Sequence, residues 1–260
     1  MKKILNIASI LFAIVLSNSC IMFQRDNYEY PNASVTGEII DSLTKERIQQ
    51  DVFGGSYIQY YQQNFGPVEE AQNFQLKYDG TWTNTQVFAG DYYFIPQNKN
   101  FICAQDTIKN CKFTKGENTH FVIEGRPLHK IYDVDIHIDD ETNELVAAAS
   151  FYTDLYLLTP TQDVFAYWTD NMTVYIDPAP YVGEFYNRFK VKEQVSWPIV
   201  GDYRKEIRVS LDNPDLVKEI KRGEKYYVRI GVQTFGDSSR GAEFQGLAPY
   251  NFCEAVRIQF

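Results

Sequence analysis

At 260 residues and a net charge of −9, the chain has room for one large or two ordinary domains, and its acidity disfavours nucleic acid and anionic lipid headgroups as partners. Its 19 Tyr, 18 Phe and 3 Trp favour strands over long helices. Three His and four Cys leave little material for metal or redox chemistry.

The chain opens with Lys2 and Lys3, an apolar run from Ile4 to Leu16, and Ser17, Asn18, Ser19 and Cys20. A charged start, a short apolar stretch and small residues before a cut describe a secretory signal over residues 1–19. The run is too short for a comfortable permanent membrane span. A cysteine directly after the small residues points to a bacterial lipoprotein, cleaved before Cys20 and acylated on it. The lipobox is relaxed, because Ser17 stands where Leu is usual. Removal of residues 1–19 takes two lysines and no acid with it, moving the net charge from −9 to −11. Residues 20–33 then read as lipid anchor and polar tether.

Order begins at Ser34. Val35, Gly37 and Ile39 form a strand, and Ser56 to Tyr61 forms the next, entered through Gly54 and Gly55. Phe74, Leu76 and Tyr78 alternate as on a half-buried strand, and Asp79-Gly80 is a turn. Trp82 is expected in the core. Ala89-Gly90-Asp91 turns the chain into Tyr92 to Ile95, and His120 to Glu124 closes the unit. Cys103 and Cys111 are near enough in sequence to close a small disulfide loop in an oxidising envelope; two reduced, partly buried thiols are the equal alternative.

"VTGEIIDSLTKERI" followed by "YDGTWTNTQVFAGDYYFIP" resembles the prealbumin-like, carboxypeptidase-regulatory type of β-sandwich. The resemblance rests on Asp79, Gly80 and Thr81 at one turn and on Ala89, Gly90 and Tyr92 at the next strand entry. It implies a fold and is nearly silent on function.

Gly125, Arg126 and Pro127 read as a joint between two units, 34–126 and 127–260. In the second, Tyr132, Val134, Ile136 and Ile138 alternate against Asp133, Asp135, His137 and Asp139. Leu145 to Tyr152 follows as a strand. Phe165 to Trp168 and Thr173 to Ile176 read as two short strands flanking Asp170-Asn171. Asn213 caps a brief helix with Pro214 at its first position. Tyr226 to Thr234 is a strong strand with Val228, Ile230 and Val232 on one face, and the chain ends on Val256, Ile258 and Phe260, pointing inward.

"IKRGEKYYVRIGV" resembles the tyrosine corner of fibronectin type III and immunoglobulin-like sandwiches, with Ile220, Gly223 and Tyr226 at the matching spacing. The expected fold is all-β, two tandem β-sandwiches, the second with seven strands. Signal, opening "NYEYPNASVTGEIID" and paired sandwiches together resemble a two-domain Bacteroidetes lipoprotein family of unknown function. That resemblance implies an outer-membrane, lipid-anchored position, at the cell surface or on the periplasmic face. It also implies neighbours of the starch-utilisation-system type, in which a porin-like importer works with a glycan-capturing lipoprotein.

No G-x-S-x-G, H-E-x-x-H, P-loop or C-x-x-C occurs, so no catalytic residue, metal or cofactor is assigned. Asp133, Asp135, Asp139 and Asp140 read as a solvated strand face and turn rather than a calcium site, since calcium ligands must converge on one ion. His120, His129 and His137 read as surface histidines. Glycan binding rests on aromatics, because a sugar's C–H face sits well on a flat ring while Asp, Asn and Gln bond its hydroxyls. The candidates are Trp168 with Tyr167, Asp170 and Asn171, then Tyr152 and Tyr156, then Trp197; core burial is the alternative for Trp168 and Trp197. The expected function is a non-catalytic accessory lipoprotein holding glycan near an importer. The alternative is a structural or assembly protein (fimbrial, adhesin or importer scaffold) that binds no glycan.

Overall fold

The computed structural model describes residues 29–63, 70–153, 167–195, 201–236 and 250–260. Cys20 and the signal lie outside the described residues. Within them the chain is almost wholly β.

The first sandwich has eight strands: β1 (Ala33–Asp41), β2 (Tyr57–Gln62), β3 (Gln72–Gln75), β4 (Thr81–Val87), β5 (Gly90–Gln97), β6 (Phe101–Cys103), β7 (Ile108–Phe113) and β8 (Asn118–Pro127). One sheet runs β4-β1-β8-β6 and the other β3-β2-β5-β7. All pairings are antiparallel except β1 with β8. The strict in–out alternation of β1 buries Val35 and Ile39. The Asp79-Gly80 turn forms as expected: Gly80 has φ +76°, and the Asp79 carboxylate accepts from the Thr81 N–H and hydroxyl. Trp82 is fully buried. Its ring lies over Gly37, where a Cβ would come within 2.0 Å of it, so the glycine in β1 is what admits the indole. The core is aromatic, with Tyr60 stacked on Phe74 at 3.8 Å and Tyr92 on Phe113 at 4.2 Å. Tyr92 also packs back across the corner, its hydroxyl donating to the Phe88 carbonyl (2.9 Å).

Gly125, Arg126 and Pro127 do not form a separate joint. They complete β8, and only Leu128 separates it from β9 (His129–Asp139). The second sandwich continues with β10 (Glu144–Thr153), β11 (Tyr167–Asp177), β12 (Phe189–Gln194), β13 (Gly201–Ser210), α1 (Pro214–Glu219), β14 (Lys225–Gly236), β15 (Tyr250–Phe252) and β16 (Val256–Gln259). Its sheets are β13-β10-β9 and β12-β11-β14-β15, with β16 also on β14. Among the described residues it has eight strand segments where seven were expected, because the last strand breaks between Phe252 and Val256. Its core is mostly aliphatic: Leu145, Ala147 and Ala149 face Met172, Val174 and Ile176, joined by Val228, Ile230 and Val232, with Phe151, Phe189 and Tyr226 among them.

Two further readings need correction here. β9 does not hold one apolar face throughout. The ladder with β10 slips between Ala148 and Ser150, and Asp133 takes φ +47°. That bulge switches the phase, so Ile136 and Ile138 face the core with Ile131, while Val134 is exposed. Likewise, the segments on either side of Asp170-Asn171 are one strand, β11, whose bulge falls between Thr169 and Asn171. The cap and corner form as read. The Asn213 side chain accepts from the Asp215 and Leu216 amides, and the buried Tyr226 hydroxyl accepts from the Lys221 N–H at 3.0 Å, with Gly223 at φ +83°.

Candidate functional site

The expected glycan residues do not converge among the described residues. Tyr156 and Trp197 lie outside them. Tyr167 and Trp168 take ladder positions in β11, opposite β14, Asp170 falls at the bulge between Thr169 and Asn171, and the side chains of all three are outside the description. Asn171 sits at the β11 bulge, buried, and its amide donates to Gln233 (3.1 Å). Tyr152 is partly exposed near the end of β10.

Cys103 and Cys111 lie on opposite sheets, on β6 and β7, and both are free thiols, as is Cys253. The disulfide alternative is therefore absent. Burial pushes the Cys103 thiol up to about 11 and Cys111 to about 12, so neither is a ready nucleophile at neutral pH. His129 is not at the surface. It is fully buried, and burial drives its pKa down to about 3, while His120 and His137 are exposed as read. Asp139 caps its own turn by accepting from the Glu141 and Thr142 amides, and it meets Arg208. No group of three His, Cys, Asp or Glu among the described residues could hold a metal ion.

The site the structure assembles lies where the sandwiches meet. Arg229 is on the face of β14 opposite Val228 and Ile230 and is fully buried, because the first sandwich covers it. Its guanidinium donates to the carbonyls of Cys253 (2.9 Å), Gln50 (3.0 Å), Val182 (3.0 Å) and Tyr78 (3.1 Å), and to the Gln49 side chain (3.2 Å). The Phe252 ring lies 4.4 Å from it. Residues of both sandwiches thus share one cation, which meets five acceptors through a planar fork. Burial lowers its pKa to about 10, which leaves it charged at neutral pH. Asn100 and Asn251 add a second clasp: Asn100 donates to the Tyr250 carbonyl, and Asn251 donates to the Asn100 carbonyl, both at 2.9 Å.

Asp51 extends this joint to the surface. Its buried carboxylate accepts from the Glu184 N–H (2.8 Å), which pins the 178–188 loop between β11 and β12 onto the first sandwich. Burial raises its pKa, while the Glu184 amide and the Arg229 charge pull it back. Two glycines let the chains approach. A Cβ on Gly183 would press on the Asp51 carboxylate at 3.0 Å, and one on Gly54 would enter the Phe185 ring. Glu184 is itself held, accepting from the Tyr175 hydroxyl (2.8 Å) and Lys190 (2.7 Å). The Asn187 amide closes the loop onto the Gly183 and Glu184 carbonyls.

Above this scaffold stand four aromatic side chains. Phe53 is 66 % exposed, Phe185 48 % and Tyr186 38 %. Tyr186 lies 6.3 Å from the Phe53 ring and 4.7 Å from Tyr181. A hydrogen bond with Tyr186 raises the Tyr181 phenol. Three large, protruding rings gathered on a fixed loop are unusual for a solvated surface. No sequence signal found them: Phe53 and Tyr186 are far apart in the chain, and only the domain contact unites them. A cleft lined by Gln49, His129, Lys130 and Asn251 also opens at the junction. At about 60 Å³ it holds a few waters, far short of the roughly 300 Å³ where small-molecule pockets begin.

Residues 33–123 match the model of the "Protein of unknown function (DUF3823) N-terminal domain". No curated protein matches the chain. Among solved structures, a "putative carbohydrate binding protein" from Bacteroides uniformis ATCC 8492 is 18 % identical, with TM-score 0.68 over 88 % of this chain and 100 % of its own. A DUF3823 family protein from Parabacteroides merdae ATCC 43184 is 15 % identical, with TM-score 0.65 over 89 % and 100 %. Another, from Bacteroides ovatus ATCC 8483, is 16 % identical, with TM-score 0.63 over 87 % and 98 %. At such identities the likeness establishes the fold alone. Residues 33–123, within the first sandwich, thus resemble the DUF3823 N-terminal domain, and most of the chain shares the two-sandwich fold of solved DUF3823 proteins.

Proposed function

We propose that this protein is a non-catalytic, lipid-anchored accessory component of an outer-membrane nutrient-uptake system, and that it holds glycan at the junction of its two sandwiches. The observation that carries the reading is the cross-domain aromatic cluster of Phe53, from the first sandwich, with Tyr181, Phe185 and Tyr186 on the 178–188 loop that Asp51 fixes. Rings held rigid lose little entropy when a sugar's C–H face settles on them. The hydroxyls of Tyr181 and Tyr186 supply polar contacts at the same place. The wording attached to the Bacteroides uniformis relative points the same way. Anchoring rests on Cys20 and the signal before it. Affinity electrophoresis against a polysaccharide panel tests the site: Phe53→Ala with Tyr186→Ala should lose at least tenfold in affinity while its thermal unfolding stays unchanged. Wild-type retardation by that variant sinks the proposed site. Cys20→Ser should release the protein in soluble form, and continued membrane attachment would refute the anchor.

The buried Arg229 joint favours a second reading, a stiff spacer or scaffold on the importer. Co-purification with a transporter while no polysaccharide binds would select it.

A further inference from the structure

The outer face of the β3-β2-β5-β7 sheet carries a second surface of unusual chemistry. In β2 the core takes Ile58 and Tyr60, leaving Tyr57, Gln59 and Tyr61 half-buried on the opposite face. In β5 the core takes Tyr92, Phe94 and Pro96, leaving Asp91, Tyr93, Ile95 and Gln97. In β3 Phe74 goes inward, and Asn73 and Gln75 are exposed. The ladder sets these outward side chains in rows. Gln75, Tyr57 and Gln97 are cross-strand partners; so are Asn73, Gln59 and Ile95; so are Tyr61 and Tyr93. Tyr61 and Tyr93 stack at 4.8 Å with planes 8° apart, and the Tyr61 hydroxyl donates to Gln59 at 3.4 Å.

The eight side chains of these rows, all on β3, β2 and β5, carry four amides, three phenols and one aliphatic group and no charge; the charges of this sheet face, Asp91 paired with Lys112 and the exposed Lys109, lie beyond the rows towards β7. In a chain of net charge −9, where exposed strand faces ordinarily carry Lys, Glu and Asp, a neutral face of this size needs a reason. Each amide offers two donors and an acceptor with two lone pairs, and each phenol can give and take one bond. A ligand dense in hydroxyls satisfies such groups; an apolar protein surface would strip their water and return nothing. An anionic polymer would require Lys or Arg opposite its charges, and the rows contain neither. Tyr supplies broad, stiff contact area at small entropic cost, for the C–H faces of sugar rings. Tyr57 and Tyr61 stand four residues apart on one strand, about 13 Å at strand rise, which is longer than a single sugar ring.

We infer that the neutral rows of β3, β2 and β5, on the outer face of this sheet, are a binding site for a run of sugars in an uncharged polysaccharide, separate from the junction cluster. The inference takes its ligand class from the glycan reading above and stands on a different set of residues. The purified full chain is run through native gels containing neutral polysaccharides (starch, β-glucan, mannan) or polygalacturonate. Wild type is expected to be retarded by at least one neutral polymer and not by polygalacturonate. Tyr61→Ala with Tyr93→Ala should weaken that retardation at least tenfold. Gln59→Glu with Gln97→Glu keeps the side-chain bulk while adding like charge, and should do the same with an unchanged melting temperature. Loss in both sheet variants with retention in Phe53→Ala/Tyr186→Ala supports the sheet site and removes the junction site. Loss only in the junction variant overturns the sheet site and leaves the junction site standing. Stronger retardation by polygalacturonate, or none by any neutral polymer, overturns the sheet site outright.

Discussion

The two sandwiches solve the same packing problem with different side chains. The first fills the space between its sheets with rings: Trp82, Tyr60, Phe74, Tyr92, Phe94, Phe101 and Phe113. The second fills it mainly with Leu, Ile, Val, Ala and Met on β10, β11 and β14, with only a few rings such as Phe151, Phe189 and Tyr226. Rings need room at the opposing backbone, and Gly37 provides it under Trp82. Aliphatic side chains need only correct alternation, and β14 supplies this through Val228, Ile230 and Val232. Between the two cores lies a joint of the opposite character, built on a buried cation and amides. An aromatic core is held by a few large pieces, an aliphatic one by many small ones. The joint is held by hydrogen bonds that have no substitute once its centre is gone.

The joint should therefore be the most sensitive point. Arg229→Ala leaves the buried carbonyls of Gln50, Val182, Cys253 and Tyr78 without their donor, and each such loss costs about 1–3 kcal/mol. We expect about 4 kcal/mol or more in total, and calorimetry should resolve two transitions as the aromatic and aliphatic units part. A single transition displaced by less than about 1 kcal/mol would show that the clasp is incidental and that the two cores suffice.

Within the first sandwich, Trp82→Ala should cost about 3–5 kcal/mol by chemical denaturation, since a fully buried indole leaves a cavity that stiff neighbouring rings cannot close. An aliphatic core relaxes more easily. Val232→Ala in β14 should cost less, about 2 kcal/mol. Equal costs would erase the distinction between the cores.

What could be read from the sequence follows from range. Turns and caps were legible because their chemistry is local: Asp79 bonds Thr81, Asn213 bonds Asp215, and Tyr226 reaches back five residues to Lys221. Strand faces were legible until a bulge changed the phase, as at Asp133. Arg229 was not legible. Alternation along β14 places it on the outward face, and only the first sandwich, nearly two hundred residues earlier, turns that face into interior. Phe53 and Tyr186 were hidden for the same reason. The sequence drew attention to Trp168 because its own loop-like neighbourhood looked sugar-binding, yet a bulge carries β11 through that neighbourhood as one strand. The outer rows of β2 and β5 were visible as strands, but their shared neutrality emerges only when the register sets them side by side.

Acid should expose the joint through His129. Its folded pKa of about 3 lies below the 6.5 of a free imidazole, because burial disfavours the charged ring. The unfolded chain therefore binds a proton first as pH falls. The stability from the neutral, buried ring is whole above pH 6.5 and declines through the window down to about 3. At pH 5 the loss should reach about 2 kcal/mol. Asp51, whose pKa burial raises, acts in the opposite sense, favouring the folded state at low pH and losing that contribution as pH rises from 3.8. Urea titrations at pH 7 and pH 5 measure the sum. His129→Gln should flatten the decline between them, and an unchanged slope would mean that this ring is not the group responsible.

The smallest effect separates the tyrosine corner from the core beneath it. Tyr226→Phe keeps the ring against Phe260, at 5.6 Å edge-on, and removes only the hydroxyl that accepts from the Lys221 N–H. The hydroxyl also donates to the Glu224 carboxylate (3.2 Å), so two hydrogen bonds are lost, and the expected cost is about 1–2 kcal/mol. Tyr226→Ala removes the ring as well, and should cost about 3 kcal/mol or more. If the two variants were equally destabilised, the corner bond would be what holds the second sandwich at that point. If Tyr226→Phe were silent, the aliphatic core would hold its corner by packing alone, with the turn at Gly223 following from it.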